Sequence, residues 1–395
     1  MRVSSLGLAL GSALIPLYGT LAALDPARPP IPPLIPHGAV VIVGVLAVVA
    51  LAATVPAALR GARRDALSIA FLAPGLATIA AALPGFDPVA GTALGVLVLG
   101  LGGAAIALSY DVDGATTRLC LRAFLWSALA ASLLALALLV VRRPPALYAY
   151  YNGRAVGTFL NPNELAAYAL VGLGVALPLA AVSRGRDRLA TATALALAAA
   201  LGATFSRWGA LSAVCGLAIY ALAARARVLL AVAVAVAVAG LGLDAAAGAR
   251  HHNPRDTQAR IVAWRTGLTT FERFPLLGVG PLAFSRTYDV FRPPEAPGPR
   301  TPVAFDPHSL LLSFAAEGGI VAVVTLTASF IVVFGRVLRA ARGAASTAAR
   351  TFAFSIAAAL AALMIDSGIN TIILLFPLGM QIVPLALAAV RTDAL

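Results

Sequence analysis

Runs of Ala, Leu, Val, Ile and Gly, each about as long as a bilayer is thick, alternate along this chain with short polar connections. They fall at residues 3–24, 38–59, 66–83, 88–109, 119–141, 163–183, 189–205, 207–224, 228–248, 309–335, 351–369 and 371–390. About 20 helical residues cross a hydrocarbon core, so the pattern predicts an all-α, polytopic membrane protein of about twelve transmembrane helices in one domain over residues 1–395. Backbone groups in hydrocarbon must be satisfied within the segment, which these runs do as helices. The stretch VAVAVAVAG from Val232 alternates only between two apolar residue types, so it carries no barrel signature. The first run exceeds the roughly 7–15 apolar residues of a secretory signal and reads as a span.

The connections give the orientation. With Met1 placed in the cytoplasm, 16 of the 29 basic residues fall on that side and 13 on the other. Eight of those 13 sit in one loop over residues 249–307, which is near the length at which the positive-inside rule stops acting. This predicts both ends of the chain in the cytoplasm and the loops after odd-numbered spans in the periplasm of a bacterial inner membrane. Two of those outer loops break the expected polarity. Residues 142–163, RRPPALYAYYNGRAVGTFLNPN, mix Arg with Tyr. Residues 249–307 hold a stretch with helical, amphipathic spacing, ARIVAWRTGLTTFERF over 259–274, followed by the Pro-rich FRPPEAPGPRTPVAFDP, which reads as an irregular flap.

Composition sharpens the class. Hydrophobic residues make up 61% of the chain and charged residues 11%, with mean hydropathy +0.93. A soluble domain has about a quarter of its residues charged, so lipid is the solvent these residues suit. A net charge of +13 would suggest nucleic acid in a soluble protein; here the charges lie in the connections between spans, and no nucleic-acid partner is expected. All the basic residues are Arg, in the loops assigned to the cytoplasm as much as elsewhere, which points to coding bias more than to phosphate recognition. Cys120 and Cys215 both lie in apolar runs and suggest neither a disulfide nor a metal site.

Candidate chemistry gathers on the outer loops. Arg154, Arg207, Arg260 and Arg265 lie at the predicted outer membrane edge. A guanidinium there either snorkels to lipid headgroups or grips a lipid-linked phosphate through two parallel hydrogen bonds. Arg207, in the tight connection FSRWG, has little room to snorkel. His308 opens the tenth span in DPHSLLLSFAAEGGIV, where a neutral imidazole could accept a proton from an attacking hydroxyl. Glu317 lies nine residues on and is expected to pair with an Arg or cap a break at Gly318-Gly319. Asp366, near the outer end of the eleventh span, reads as structural. Glu164 reads as a first-turn acid, with Asn161 or Asn163 as the N-cap. His251 and His252 lack the further ligands a metal site needs.

Four segments in order, GRAVGTFLNPNELAAY, SRWGAL, ARIVAWRTGLTTFERFPLLGVGPLAF and PHSLLLSFAAEGGIV, resemble the O-antigen ligase and O-antigen polymerase superfamily over about residues 154–322. The resemblance implies a GT-C-like, metal-independent, inverting glycosyltransferase without a cofactor. It implies a glycan donor carried on undecaprenyl diphosphate, and an acceptor that is lipid A core for a ligase or a lipid-linked repeat for a polymerase. Ligases of this kind carry Arg and, after three residues, Leu, here Arg207 and Leu211; their second motif matches at His308, Ser309 and Gly319. Its last place holds Ala322 instead of the usual Gly, Thr or Tyr, which moves the resemblance toward the polymerases. The resemblance thus casts His308 as the catalytic residue, Arg207, Arg260, Arg265 and Arg154 as diphosphate ligands, and Asn163, Glu317 and Ser309 as supporting residues. A small-solute transporter is the rival class, but transporters place polar groups near the bilayer midplane.

Overall fold

In the computed structural model, the apolar runs that lie among the described residues are helical. The structure describes residues 3–17, 37–143, 145–223, 254–293, 306–370 and 375–395; the run at 228–248, the histidines at 251 and 252 and most of the Pro-rich flap lie outside them. The helices are α1 Val3–Leu14, α2 His37–Gly61, α3 Ala66–Ala82, α4 Pro88–Tyr110, α5 Gly114–Val141, the short α6 Pro145–Tyr150, α7 Pro162–Val182, α8 Arg188–Ala203 and α9 Arg207–Ala223. The chain continues with α10 Pro254–Arg273, α11 Phe284–Phe291, α12 Leu310–Gly343, α13 Thr347–Ser367 and α14 Leu375–Thr392. Six of these, α2, α4, α5, α7, α12 and α13, are long and apolar enough to cross a membrane. Among the described residues α1, α3, α8, α9 and the latter part of α14 are shorter apolar helices. The described residues contain helices and no strand, and the chain is a multi-pass membrane protein.

Aspartates start many of these helices. Asp65, Asp87, Asp113 and Asp187 each accept a hydrogen bond from a backbone amide in the first turn of α3, α4, α5 and α8, at 2.9, 3.0, 2.7 and 3.1 Å. Such a cap contributes about 0.5–2 kcal/mol, so a large part of the scarce acid in this chain serves helix starts. Prolines at 56, 74, 178 and 384 lie inside helices, which a membrane bundle tolerates because neighbouring groups satisfy the carbonyl freed four residues earlier.

The packing order is a closed ring that chain order does not follow. Helix α1 packs on α2, α2 on α4, α4 on α3, α3 on α12, α12 on α13, α13 on α7, α7 on α8, α8 on α5, and α5 returns to α1. Within it runs α14, touching α4, α5, α12 and α13, with Ile382, Val383, Leu385 and Ala386 fully buried. Its one polar core residue, Gln381, accepts a hydrogen bond from Ser12 at 3.2 Å. Small residues set the close approaches: a Cβ on Gly102 would lie 2.3 Å from the Phe71 carbonyl, and one on Gly75 2.7 Å from Leu99. In lipid such van der Waals fit drives helix association, since burial of apolar surface does not. Ile42, Val49, Trp126 and Ile331 face outward, as suits lipid.

The loops sort to two ends. At one, Arg60 donates to Asp111 at 2.7 Å, Arg122 to Asp187 at 3.0 Å, Arg391 to the carbonyls of Tyr110 and Val112, and Tyr110 to Asp65. These join only loops assigned to the cytoplasm. At the other, Phe86 N donates to Val279 O at 3.0 Å, and Arg260 to the Ile369 carbonyl, at the end of the eleventh run, at 3.1 Å. These join only loops assigned outside.

Candidate functional site

The two polarity-breaking loops meet at the second end. After α6 the chain turns through Asn152 and Gly153, both at positive φ (51° and 77°), and the Ala155 amide donates to the Ala203 carbonyl at 2.9 Å. This tie sets Arg154 against the end of α8. Its Nε donates to the Thr204 carbonyl at 2.7 Å and its Nη2 to Asn163 Oδ1 at 3.0 Å. Asn163 is not the cap of α7; Asn161 is, accepting from the Asn163 amide at 2.8 Å. The Asn163 side chain is thereby left to the network.

From Asn163 the network runs to three more elements. Ser206 Oγ donates to Asn163 Oδ1 at 3.0 Å and accepts from the Gly209 amide at 3.2 Å, so it caps α9. Arg207, the first residue of α9, stands exposed beside it. Asn163 Nδ2 donates to Asn370 Oδ1 at 3.2 Å, and Arg260 Nη1 donates to the same oxygen at 3.1 Å. Asn370 Nδ2 donates to Asp366 Oδ1 at 2.8 Å. Arg154, Asn163, Ser206, Arg260, Asn370 and Asp366 thus form one connected set. Buried polar groups of this kind hold one geometry when satisfied.

Helix α10 carries this set toward His308. Val262, Ala263, Thr266 and Thr270 line its buried face, and Gly267 lets Pro307 approach to 3.2 Å of where a Cβ would stand. Arg260 reaches Asn370 and, one turn on, Trp264 Nε1 donates to the His308 carbonyl at 3.4 Å. His308 and the arginine network are therefore referenced to the same helix about 6 Å apart along its axis. Arg265 shares α10 but is exposed, with no hydrogen-bond or ion-pair partner among the described residues.

His308 holds a left-handed backbone (φ 51°), uncommon for a residue with a Cβ. Asp306 stabilises it, accepting from the His308 amide at 2.7 Å. The same Asp306 oxygen lies 3.6 Å from Nδ1, too far for a hydrogen bond. The imidazole is 41% exposed. It makes no hydrogen bond or ion pair with the four arginines. Ser309 follows as the N-cap residue of α12 by backbone conformation, but its side chain does not cap; its carbonyl accepts from Ser313 Oγ at 2.9 Å.

The break expected at Gly318-Gly319 is present: Gly319 has φ 63° and ψ −162° inside α12. The segment 275–282 lies across it. Val279 and Gly280 amides donate to the carbonyls of Ala316 and Glu317 at 2.9 and 3.0 Å, and the Ile320 amide donates to Pro275 at 2.8 Å. Glu317 Oε1 accepts from the Phe284 amide at 3.0 Å, so this carboxylate caps α11. Helix α11 was not expected within the loop, although Phe284, Thr287, Tyr288 and Phe291, its buried face, have i, i+3, i+4, i+7 spacing. Asp87 anchors the far side. The Ala90 amide and Arg286, at 2.8 Å, hold its carboxyl below the usual carboxylate range.

Sequence reasoning missed Asp306, Trp264, Ser206 and Asn370 as members of the site and left Asp366 as structural. The spacing of Asp366 and Asn370, one helical turn apart at the end of an apolar run, was the available signal.

The class that fold and site define is a helical membrane protein with an arginine–amide network and a histidine gathered at one end. Residues 165–327 match the family model described as O-Antigen ligase. The match bears out the resemblance to the O-antigen ligase and polymerase superfamily and supports a membrane glycosyltransferase of the ligase or polymerase type, with lipid-linked glycans as substrates. Arg207, Arg260, Arg265, His308, Ser309 and Glu317 fall inside the matched stretch; Arg154, Asn163 and Asn370 fall outside it. A comparison with curated proteins finds no match.

Proposed function

We propose that this protein is an O-antigen ligase, transferring a glycan from undecaprenyl diphosphate to a hydroxyl of lipid A core at the periplasmic face of the bacterial inner membrane. About twelve spans with both ends cytoplasmic, and residues 249–307 as a periplasmic loop, complete the arrangement. The acceptor oxygen attacks the anomeric carbon from the face opposite the diphosphate. The bond from that carbon to the phosphate oxygen breaks, the acceptor proton passes to the His308 imidazole, and undecaprenyl diphosphate leaves with inverted configuration at the sugar. Arg154, Arg260, Arg207 and Arg265 hold the departing diphosphate, where fixed cations act on charge that develops in the transition state. No metal or cofactor enters the scheme.

The observation that carries this reading is the meeting of Arg154 and Arg260, from two different loops, on one asparagine pair at the end where His308 opens α12. The oxygens of Thr204, Asn163, Ile369 and Asn370 accept hydrogen bonds from these two guanidiniums and so orient them. A polymerase reading has one observation in its favour, Ala322 at the last place of the histidine motif. The transporter reading finds less support, because the break in α12 is filled by backbone from residues 275–282 instead of a solute cavity.

The test is purified protein in nanodiscs with a defined undecaprenyl-diphosphate glycan and either lipid A core or a second lipid-linked repeat. Glycosylated lipid A core is the expected product. Lengthened lipid-linked glycan would make it a polymerase, and no transfer to either acceptor would reject the glycosyltransferase scheme.

A further inference from the structure

The asparagine pair at the centre of the network has a direction, and a buried acid fixes it. An Asn side chain has nearly isosteric donor and acceptor ends, so its partners decide which way it points. Asp366, 1% exposed, lies one helical turn before Asn370. A carboxylate only accepts, so Asn370 must turn Nδ2 toward it, at 2.8 Å. Asn370 Oδ1 is then the group left to meet Asn163 Nδ2 and Arg260, at 3.2 and 3.1 Å. Asn163 in turn presents Oδ1 to Arg154 and Ser206, both at 3.0 Å. In the opposite sense, the amide nitrogens of Asn370 and Asn163 would each confront a guanidinium, donor against donor.

The acid has no evident packing reason to be there. A buried carboxylate costs free energy unless fully satisfied, and Asp366 Oδ2 has no hydrogen-bond partner among the described residues. Asparagine at this place would fill the same volume without the charge. It would not define a direction.

We propose that Asp366, Asn370 and Asn163 are positioning residues, an acceptor-led chain that holds the Arg154 and Arg260 guanidiniums in the geometry that binds the donor diphosphate. This rests on the glycosyltransferase reading above for the identity of the anion. The chain acts through the arginines and touches no reacting atom.

The discriminating variants are D366N and the swap D366N/N370D. In D366N either end of the new amide can face Asn370, so the chain can reverse. In the swap, Asn at 366 donates to Asp at 370, which still accepts from Asn163 and Arg260, and the direction is restored. Binding of undecaprenyl diphosphate to the purified protein in detergent, and KM for the lipid-linked glycan, are the readouts. D366N should weaken both about tenfold and lower kcat as well, since the arginines it misplaces also serve charge that develops in the transition state. The swap should return both to within about threefold of wild type. Unchanged binding in D366N, or a swap no better than D366N, overturns the proposal. If only the swap accumulates, tenfold weaker binding than wild type overturns it. If neither variant accumulates, the chain is a folding element and the proposal fails. Wild-type protein that binds undecaprenyl diphosphate but transfers no glycan would defeat the functional reading alone; wild-type transfer with an indifferent D366N would defeat this inference alone.

Discussion

Arginines at the two ends of the bundle keep different company. At the end assigned to the cytoplasm, Arg60 pairs directly with Asp111 and Arg122 with Asp187, with about half of each arginine side chain exposed. At the opposite end, Arg154 and Arg260 are part-buried and bond to carbonyl and amide oxygens of Thr204, Asn163, Ile369 and Asn370. The first arrangement cancels charge at a wet surface, where such pairs contribute roughly 0–1 kcal/mol. The second fixes the direction in which each guanidinium points. Arg286 with Asp87 shows that direct pairing also occurs at this end, on its exposed rim where it anchors α11. Clustered arginine is therefore a poor guide to a site by itself; the kind of oxygen that holds it separates a surface pair from a preorganised cation.

The largest effect should come from the histidine beside that network. H308A should lower kcat by about a hundred- to ten-thousandfold, the usual contribution of a positioned base, with donor binding changed only a few fold. H308Q is sharper, because its amide keeps a hydrogen bond but cannot take a proton near neutral pH. Near-wild-type turnover by H308Q would leave His308 as a positioning group and put catalysis on the arginines.

Next is R260A, which removes one charge-assisted hydrogen-bonding group from the proposed diphosphate site. It should cost about 1.5–3 kcal/mol, roughly ten- to a hundredfold in kcat/KM, with membrane abundance near normal. R260K should recover only part, since an ammonium keeps the charge and loses the fork. Equal activities for R260A and wild type would return Arg260 to a purely structural contact with Asn370.

The backbone crossing at α12 should follow through stability. Gly319 sits at φ 63°, and a Cβ there would fall 2.3 Å from the Leu276 carbonyl carbon. G319A should lose about 1–3 kcal/mol from this glycine-only backbone conformation alone and more from the displaced segment 275–282. Immunoblots of membranes should show several-fold less protein; unchanged abundance would mean that the segment detaches without consequence. Smallest should be R60Q at the other end, with a loss of under about 1 kcal/mol in thermal stability and transfer rates within about twofold of wild type. A tenfold loss of transfer in R60Q would erase the distinction between the two ends.

The helices themselves were legible because hydrophobic length is a strong signal. The amphipathic α10 was legible for the same reason, its buried residues recurring on one helical face through Val262, Thr266 and Thr270. The ring order was not. Nothing in the hydropathy of α12 says that it lies beside α3, or in that of α14 that it runs inside the ring, because contacts between distant helices depend on where small residues such as Gly11 and Gly174 meet Gln381 and Ala359. Half of the candidate site was visible as charge or imidazole in an unexpected loop. Of the rest, Asn163 was named as a supporting residue only through the resemblance, and Ser206 and Asn370 were not named; all three are neutral, and neutral polar residues at helix ends look like caps. Asn161 takes the cap of α7, which frees Asn163, and only three-dimensional contact shows the exchange.

The most direct test of where the chemistry lies is photo-crosslinking with a benzophenone-bearing undecaprenyl-diphosphate glycan in nanodiscs, with the crosslinked peptides mapped by mass spectrometry. Crosslinks to peptides containing Arg154, Arg207, Arg260 or His308, competed by unlabelled undecaprenyl diphosphate, are the predicted result. Competable crosslinks confined to peptides around Arg60, Asp111 and Asp187 would contradict the account.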